Sequence, residues 1–151
     1  MLYSSDQRWY ELYQGVPEFT GAKYGIQPLR AREEWGVTVL HNTGVDGLER
    51  RPTGLRNGRN SGFAAINLAV HLGAKRILLL GYDMSVSKKG QSHWFGEHPE
   101  RIRSQSPYPS FIAAFDTIRE PLQRLGVSVI NCSRVSALDC FARISLAEAL
   151  R

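Results

Sequence analysis

The chain has 151 residues, 42% apolar and 22% charged, a composition ordinary for a globular protein and sufficient for one domain with a core. Its formal net charge of +5 comes from scattered arginines rather than a concentrated basic stripe, so no specific nucleic-acid partner is expected, although the field favours anionic ligands. Cys132 and Cys140 form no CxxC pair and no Cys/His cluster accompanies them, which excludes a zinc module; they are expected to be reduced thiols of a cytoplasmic protein. No signal peptide is expected at the N-terminus, and the apolar run at residues 77–80 is too short for a membrane span.

In chain order, residues 2–4 predict a short strand, and Ser5 or Asp6 caps a helix carrying Trp9, Tyr10, Leu12 and Tyr13. Gly15 and Pro17 stop it, and residues 15–36 read as irregular, with Gly21, Gly25 and Pro28 as breakers. Residues 37–41 predict a β-branched strand, followed by a loop over 42–62. Residues 61–72 have helical apolar spacing at Phe63, Ile66, Leu68, Ala69, Val70 and Leu72, closed by Gly73. A buried strand at 77–80 follows at once. A long polar loop over 84–109 leads to an amphipathic helix at 111–125, which Pro121 is expected to kink or break and Gly126 to cap. Residues 127–130 predict a further buried strand, and 136–141 a helical turn. Ser145 and Glu148 form a capping box for a terminal helix.

Strands alternating with helices imply a single α/β domain over 1–151, with a mainly parallel sheet. Ligands in such sheets bind outside the carboxyl ends of the strands. That rule puts the 42–62 loop, the 82–109 loop and the turn after Asn131 on one rim.

Three groups of residues on that rim can carry chemistry. Arg56, Asn57, Gly58, Arg59, Asn60, Ser61 and Gly62 lead directly into a helix, whose first turn offers unpaired N–H groups and partial positive charge to an anion. Arg56 and Arg59 can add guanidinium contacts, and Ser61 a hydroxyl. The pattern is neither a Walker A loop nor GxGxxG. The alternative is a plain loop with Asn60 or Ser61 as N-cap, and the residues alone leave both open. Tyr82 and Asp83 end a strand, where a carboxylate can hold a ribose hydroxyl or orient a donor, or else brace the next loop. His93, Trp94, Phe95 and His98 share one loop with Glu97; the histidines are candidate acid–base groups, and Trp94 is a stacking surface for a base or sugar. The alternative is a loop pinned to the core by its aromatics. His71 reads as structural, and His41 and Asn42 are weaker rim candidates. No metal site and no cofactor are expected.

The stretch Gly58-Arg-Asn-Ser-Gly62-Phe-Ala-Ala-Ile-Asn-Leu-Ala-Val-His-Leu-Gly73-Ala-Lys-Arg-Ile-Leu-Leu-Leu-Gly81-Tyr-Asp83-Met resembles a motif of Rossmann-like phage and prophage proteins. The segments Tyr3-Ser-Ser-Asp6-Gln-Arg-Trp9 and His93-Trp-Phe-Gly-Glu-His98-Pro are similar to the same group. Over the middle third, the chain is more distantly similar to bacterial CMP-sugar-dependent sialyltransferases and to flagellin-glycosylation (motility accessory factor) proteins. The resemblance implies a Rossmann-like three-layer domain without the family's first βαβ unit. It also implies a nucleotide or nucleotide-sugar above the 54–62 turn, with Asp83 close by and His93 or His98 as base. The expected function is nucleotide or nucleotide-sugar binding with glycosyltransferase-like ancestry. The alternative is a non-catalytic phage protein that sequesters such a ligand or serves assembly. A truncated sheet exposes an edge, so a homo-oligomer is also expected.

Overall fold

The computed structural model describes residues 1–86, 99–100 and 106–151. Among the described residues the chain runs β1 (Leu2–Tyr3), α1 (Gln7–Leu12), β2 (Lys23–Ile26), a 3-10 turn (Glu33–Trp35), β3 (Val37–Asn42) and β4 (Gly54–Leu55). It continues through α2 (Ser61–His71), β5 (Arg76–Leu79), α3 (Tyr108–Arg124), β6 (Ser128–Asn131), β7 (Ala142–Arg143) and α4 (Leu146–Ala149). The protein is α/β, and every strand pair is parallel. No helix among the described residues is long and apolar enough to cross a membrane.

Two sheets form where the sequence predicts one: β1-β2-β3-β4 and β5-β6-β7. Both edges of the first sheet, β1 and β4, are two-residue strands, and neither pairs with β5. Side chains alternate across this sheet. Leu2, Val37 and Val39 pack with Tyr10 of α1 and with Leu29 and Trp35. On the other face, Tyr3, Ile26, Leu40 and Leu55 pack with Ala64 and Leu68 of α2.

Helix α2 also serves the second sheet. Phe63 and Ile66 join Leu79 of β5, Ala114, Phe115, Ile118 and Leu122 of α3, and Leu138 and Phe141 in a second core. The offsets explain the division: 64 and 68 stand one above the other, and 63 and 66 on a neighbouring stripe. Burial of Phe63, Ile66 and Leu68 contributes roughly 1.5–3 kcal/mol each. Asn60 caps the helix, its Oδ1 accepting the Phe63 N–H at 2.8 Å. At the other end the Ala74 N–H reaches the Ala69 carbonyl and the Gly73 N–H the Val70 carbonyl, a Schellman closure.

A buried polar side chain faces a third direction. Asn67 of α2 accepts the Glu49 N–H at 3.0 Å and the Arg56 N–H at 3.2 Å, and donates to the Glu49 carbonyl at 2.9 Å. The His71 Nε2–H donates to the Gly54 carbonyl at 2.9 Å. The β3–β4 loop is thereby fastened to α2, and its Gly47 N–H reaches the Thr117 hydroxyl of α3 at 2.8 Å.

Several local expectations change. Residues 15–36 are not wholly irregular, because β2 forms at Lys23–Ile26 between two parallel partners despite Gly25. The 42–62 loop contains β4. No break occurs at Pro121: α3 runs on to Arg124, since a proline near the helix end removes only one backbone bond. Residues 136–141 form no helical turn. There the Ala137 N–H is taken by the Asp83 carbonyl and the Leu138 N–H by the Ser136 hydroxyl, and the segment packs as a turn with Leu138 and Phe141 in the core. The capping box on α4 is present, with Ser145 and Glu148 bonded reciprocally.

Asn67→Ala leaves the Glu49 N–H, the Arg56 N–H and the Glu49 carbonyl without their buried partner. It is expected to lower the unfolding free energy by about 3 kcal/mol in urea denaturation. A loss below about 1 kcal/mol would mean that the loop is held by other contacts. The Glu49 carboxylate is buried and held down at a pKa of about 2, chiefly by the Arg51 N–H, with the Thr43 hydroxyl, the Arg50 N–H and the Arg51 charge adding to it. A depressed carboxylate stabilises the fold fully above its unfolded pKa, and the contribution fades as pH falls toward the folded value. Stability should therefore drop between pH about 5 and about 2, and Glu49→Gln should flatten that drop. Equal acid sensitivity in the two proteins would contradict the assignment.

Candidate functional site

Parallel strands bring all their carboxyl ends to one rim. Ser5 follows β1 there, residues 56–60 follow β4, Tyr82 and Asp83 follow β5, and Ser133 follows β6. The first turn of α2 is bonded to chain from both sheets. Ser61 Oγ accepts the Ser5 N–H at 3.1 Å and lies 2.6 Å from Ser5 Oγ. From the other side, the Tyr82 hydroxyl donates to the Gly62 carbonyl at 3.0 Å.

The glycine-rich turn is largely braced from within. Asn57 Nδ2 donates to Asn42 Oδ1 at 3.1 Å, and its Oδ1 accepts the Arg59 N–H at 2.8 Å. Asn60 Nδ2 donates to the Gly58 carbonyl, and the Asn60 N–H to the Asn57 carbonyl. Gly58 has φ +52°, and a Cβ there would lie 2.0 Å from the Phe63 ring, so only glycine fits. Arg59, at φ +62°, shares that left-handed region and pairs with Asp46 at 3.6 Å on the surface. Arg56 lies against Gly44, with its Nε buried and without a hydrogen-bond partner among the described residues. The Ser61 and Gly62 N–H groups also have no partner there. They are the N1 and N2 donors of an eleven-residue helix, where partial positive charge gathers.

Tyr82 and Asp83 point to different places. The Tyr82 ring packs edge-on to Phe115 and closes on Gly62, where a Cβ would meet it at 2.9 Å. Burial pushes the Tyr82 phenol up to about 12, so it remains a neutral donor. Its backbone is held by Ser133 Oγ at the N–H and by the Ser136 hydroxyl at the carbonyl. The buried Asn131 supports this corner, accepting the Ser133 N–H and donating to Ser136 Oγ and the Leu138 carbonyl. The Asp83 carboxylate is exposed and has no partner among the described residues.

Asp83 lines a cavity of about 910 Å³ at the carboxyl ends of β5, β6 and β7. Its walls include Leu80 and Gly81, residues 132–135, and residues 143–146 at the entry to α4. No residue of the 56–62 turn lines it, so turn and cavity are neighbours joined through Tyr82 rather than one pocket. The sequence does not mark Ser5, Ser133, Arg134 or Arg143 as site residues, since they meet through parallel pairing of strands of two to four residues.

His41 contacts Gln27 Oε1 at 3.3 Å, and Asn42 braces the turn through Gly44 and Asn57. His71 is bonded within the scaffold. His93, Trp94, Phe95 and His98 lie outside the described residues. Among the described residues no group of three or more His, Cys, Asp or Glu can hold a metal ion, and Cys132 and Cys140 are free thiols. The chain matches no protein-family model, no curated protein and no solved structure.

Proposed function

We propose that this chain binds a nucleotide or nucleotide-sugar on the carboxyl rim, with a phosphate seated on the first turn of α2. The observation that carries the reading is the pair of unpartnered amides at Ser61 and Gly62, inside a turn whose other polar groups brace one another. Donors held rigid before the ligand arrives lose little entropy on binding. Backbone N–H groups at a helix start suit a phosphate oxygen, and the half-buried Arg56 of the same turn adds positive charge.

All-parallel strand pairing supports a Rossmann-like reading. The first turn of α2 is bonded to Ser5, which follows β1 of one sheet, and to Tyr82, which follows β5 of the other. Ligands of open α/β sheets bind outside the carboxyl ends of the strands. The resemblance to phage Rossmann-like proteins and, more distantly, to CMP-sugar sialyltransferases supports a nucleotide as the ligand class.

Two substitutions at one position test this. Ser61→Ala removes the hydroxyl and keeps the N–H; Ser61→Pro removes both, and proline suits the N1 position. In calorimetry with nucleoside mono- and diphosphates, Ser61→Ala should stay within about threefold of the parent, while Ser61→Pro should bind about tenfold more weakly. Equal affinity of the two variants, or no binding by the parent at millimolar nucleotide, would defeat the reading.

A further inference from the structure

The cavity beside Asp83 has a chemical character that the phosphate turn does not share. Leu80, Val135, Ile144 and Leu146 line it while 58%, 69%, 39% and 36% exposed, an apolar wall left open to solvent. Most polar groups around that wall are already engaged. Glu148 accepts from the Ser145 N–H and hydroxyl, and Arg143 donates to the Ser136 carbonyl at 3.2 Å. Two charged groups of opposite sign remain without partners among the described residues: the Asp83 carboxylate and the Arg134 guanidinium.

From this juxtaposition we infer that the cavity takes the nucleoside half of the ligand, and that Asp83 selects for ribose. This rests on the binding reading above and adds what it lacks, a site for base and sugar. An ionised carboxylate only accepts hydrogen bonds, and its two oxygens match the two hydroxyls of a vicinal diol. A guanidinium only donates, which suits the carbonyl and ring-nitrogen acceptors of a base edge. An apolar wall suits the flat face of the base. Cavity size agrees, since small-molecule sites commonly enclose about 300–1,000 Å³. Position agrees as well. The Tyr82 hydroxyl bonds to the Gly62 carbonyl and Asp83 is the next residue, so the chain that closes on the phosphate turn runs directly into the cavity wall.

The test is a double-mutant cycle between protein and ligand, using the full chain and calorimetry. The four ribonucleoside monophosphates and their 2′-deoxy counterparts are titrated into the parent, Asp83→Ala and Leu80→Asp proteins. Asp83 is exposed and unpartnered, so its replacement leaves the fold intact. In the parent, the deoxy forms should bind about tenfold more weakly. Asp83→Ala should lose a similar factor for the ribo forms and none for the deoxy forms, and Leu80→Asp should weaken both. Equal affinity for ribo and deoxy ligands in the parent, or a deoxy penalty that persists in Asp83→Ala, overturns the inference. Nucleotide binding that Ser61→Pro weakens but the two cavity variants leave unchanged overturns it as well, with the phosphate site standing. Absence of any nucleotide binding overturns both.

Discussion

Helix α2 carries apolar side chains to two sheets that share no ladder, and the rest of the molecule is arranged around that double packing. Ala64 and Leu68 close the first sheet, Phe63 and Ile66 close the core under the second, and Asn67 holds the β3–β4 loop. A helix with so little exposed face is nearly apolar around most of its circumference, so its burial rather than its intrinsic propensity makes it stable. The same packing fixes where its first turn points. Because Ser5 comes from the first sheet and Tyr82 from the second, any shift of one sheet against the other would strain a hydrogen bond at Ser61 or Gly62.

This arrangement separates two meanings that the glycine-rich segment carries in the sequence. Gly58 is required by the Phe63 ring, and Gly62 by the approach of Tyr82. Asn60 bonds to Gly58 and Phe63, Asn57 to Arg59 and to Asn42 at the end of β3, and the Ser61 hydroxyl is occupied by Ser5. Such residues build the shape of the turn. What they leave outward are main-chain donors, which no side-chain pattern reveals directly. In the proposed function the motif thus works as a frame, and the contacts come from its backbone and from side chains far away in sequence.

Legibility from the sequence follows the range of the forces involved. Helices α2 and α3 were readable because their apolar spacing and their closing residues, Gly73 and Gly126, are local. The Ser145–Glu148 capping box was readable for the same reason. Strand β2 was not, since Lys-Tyr-Gly-Ile has little strand character of its own and gains its form from partners on both sides. The two-residue strands β4 and β7 exist only as pairings. At the site, Asp83 was legible from its place after a buried strand. Arg134 and the wall of Leu80, Ile144 and Leu146 were not, because three separate strand ends must first be aligned. Ser5 was read as a possible helix cap, but Asp6 takes that role and leaves Ser5 to Ser61.

The most direct measurement is an amide chemical-shift titration of the isotopically labelled chain with a nucleoside diphosphate. The account predicts that the Ser61 and Gly62 N–H resonances move downfield and saturate together with those of Asp83 and Ile144, reporting one ligand across turn and cavity. Shifts confined to other surfaces, with Ser61 and Gly62 unmoved at saturation, would contradict it.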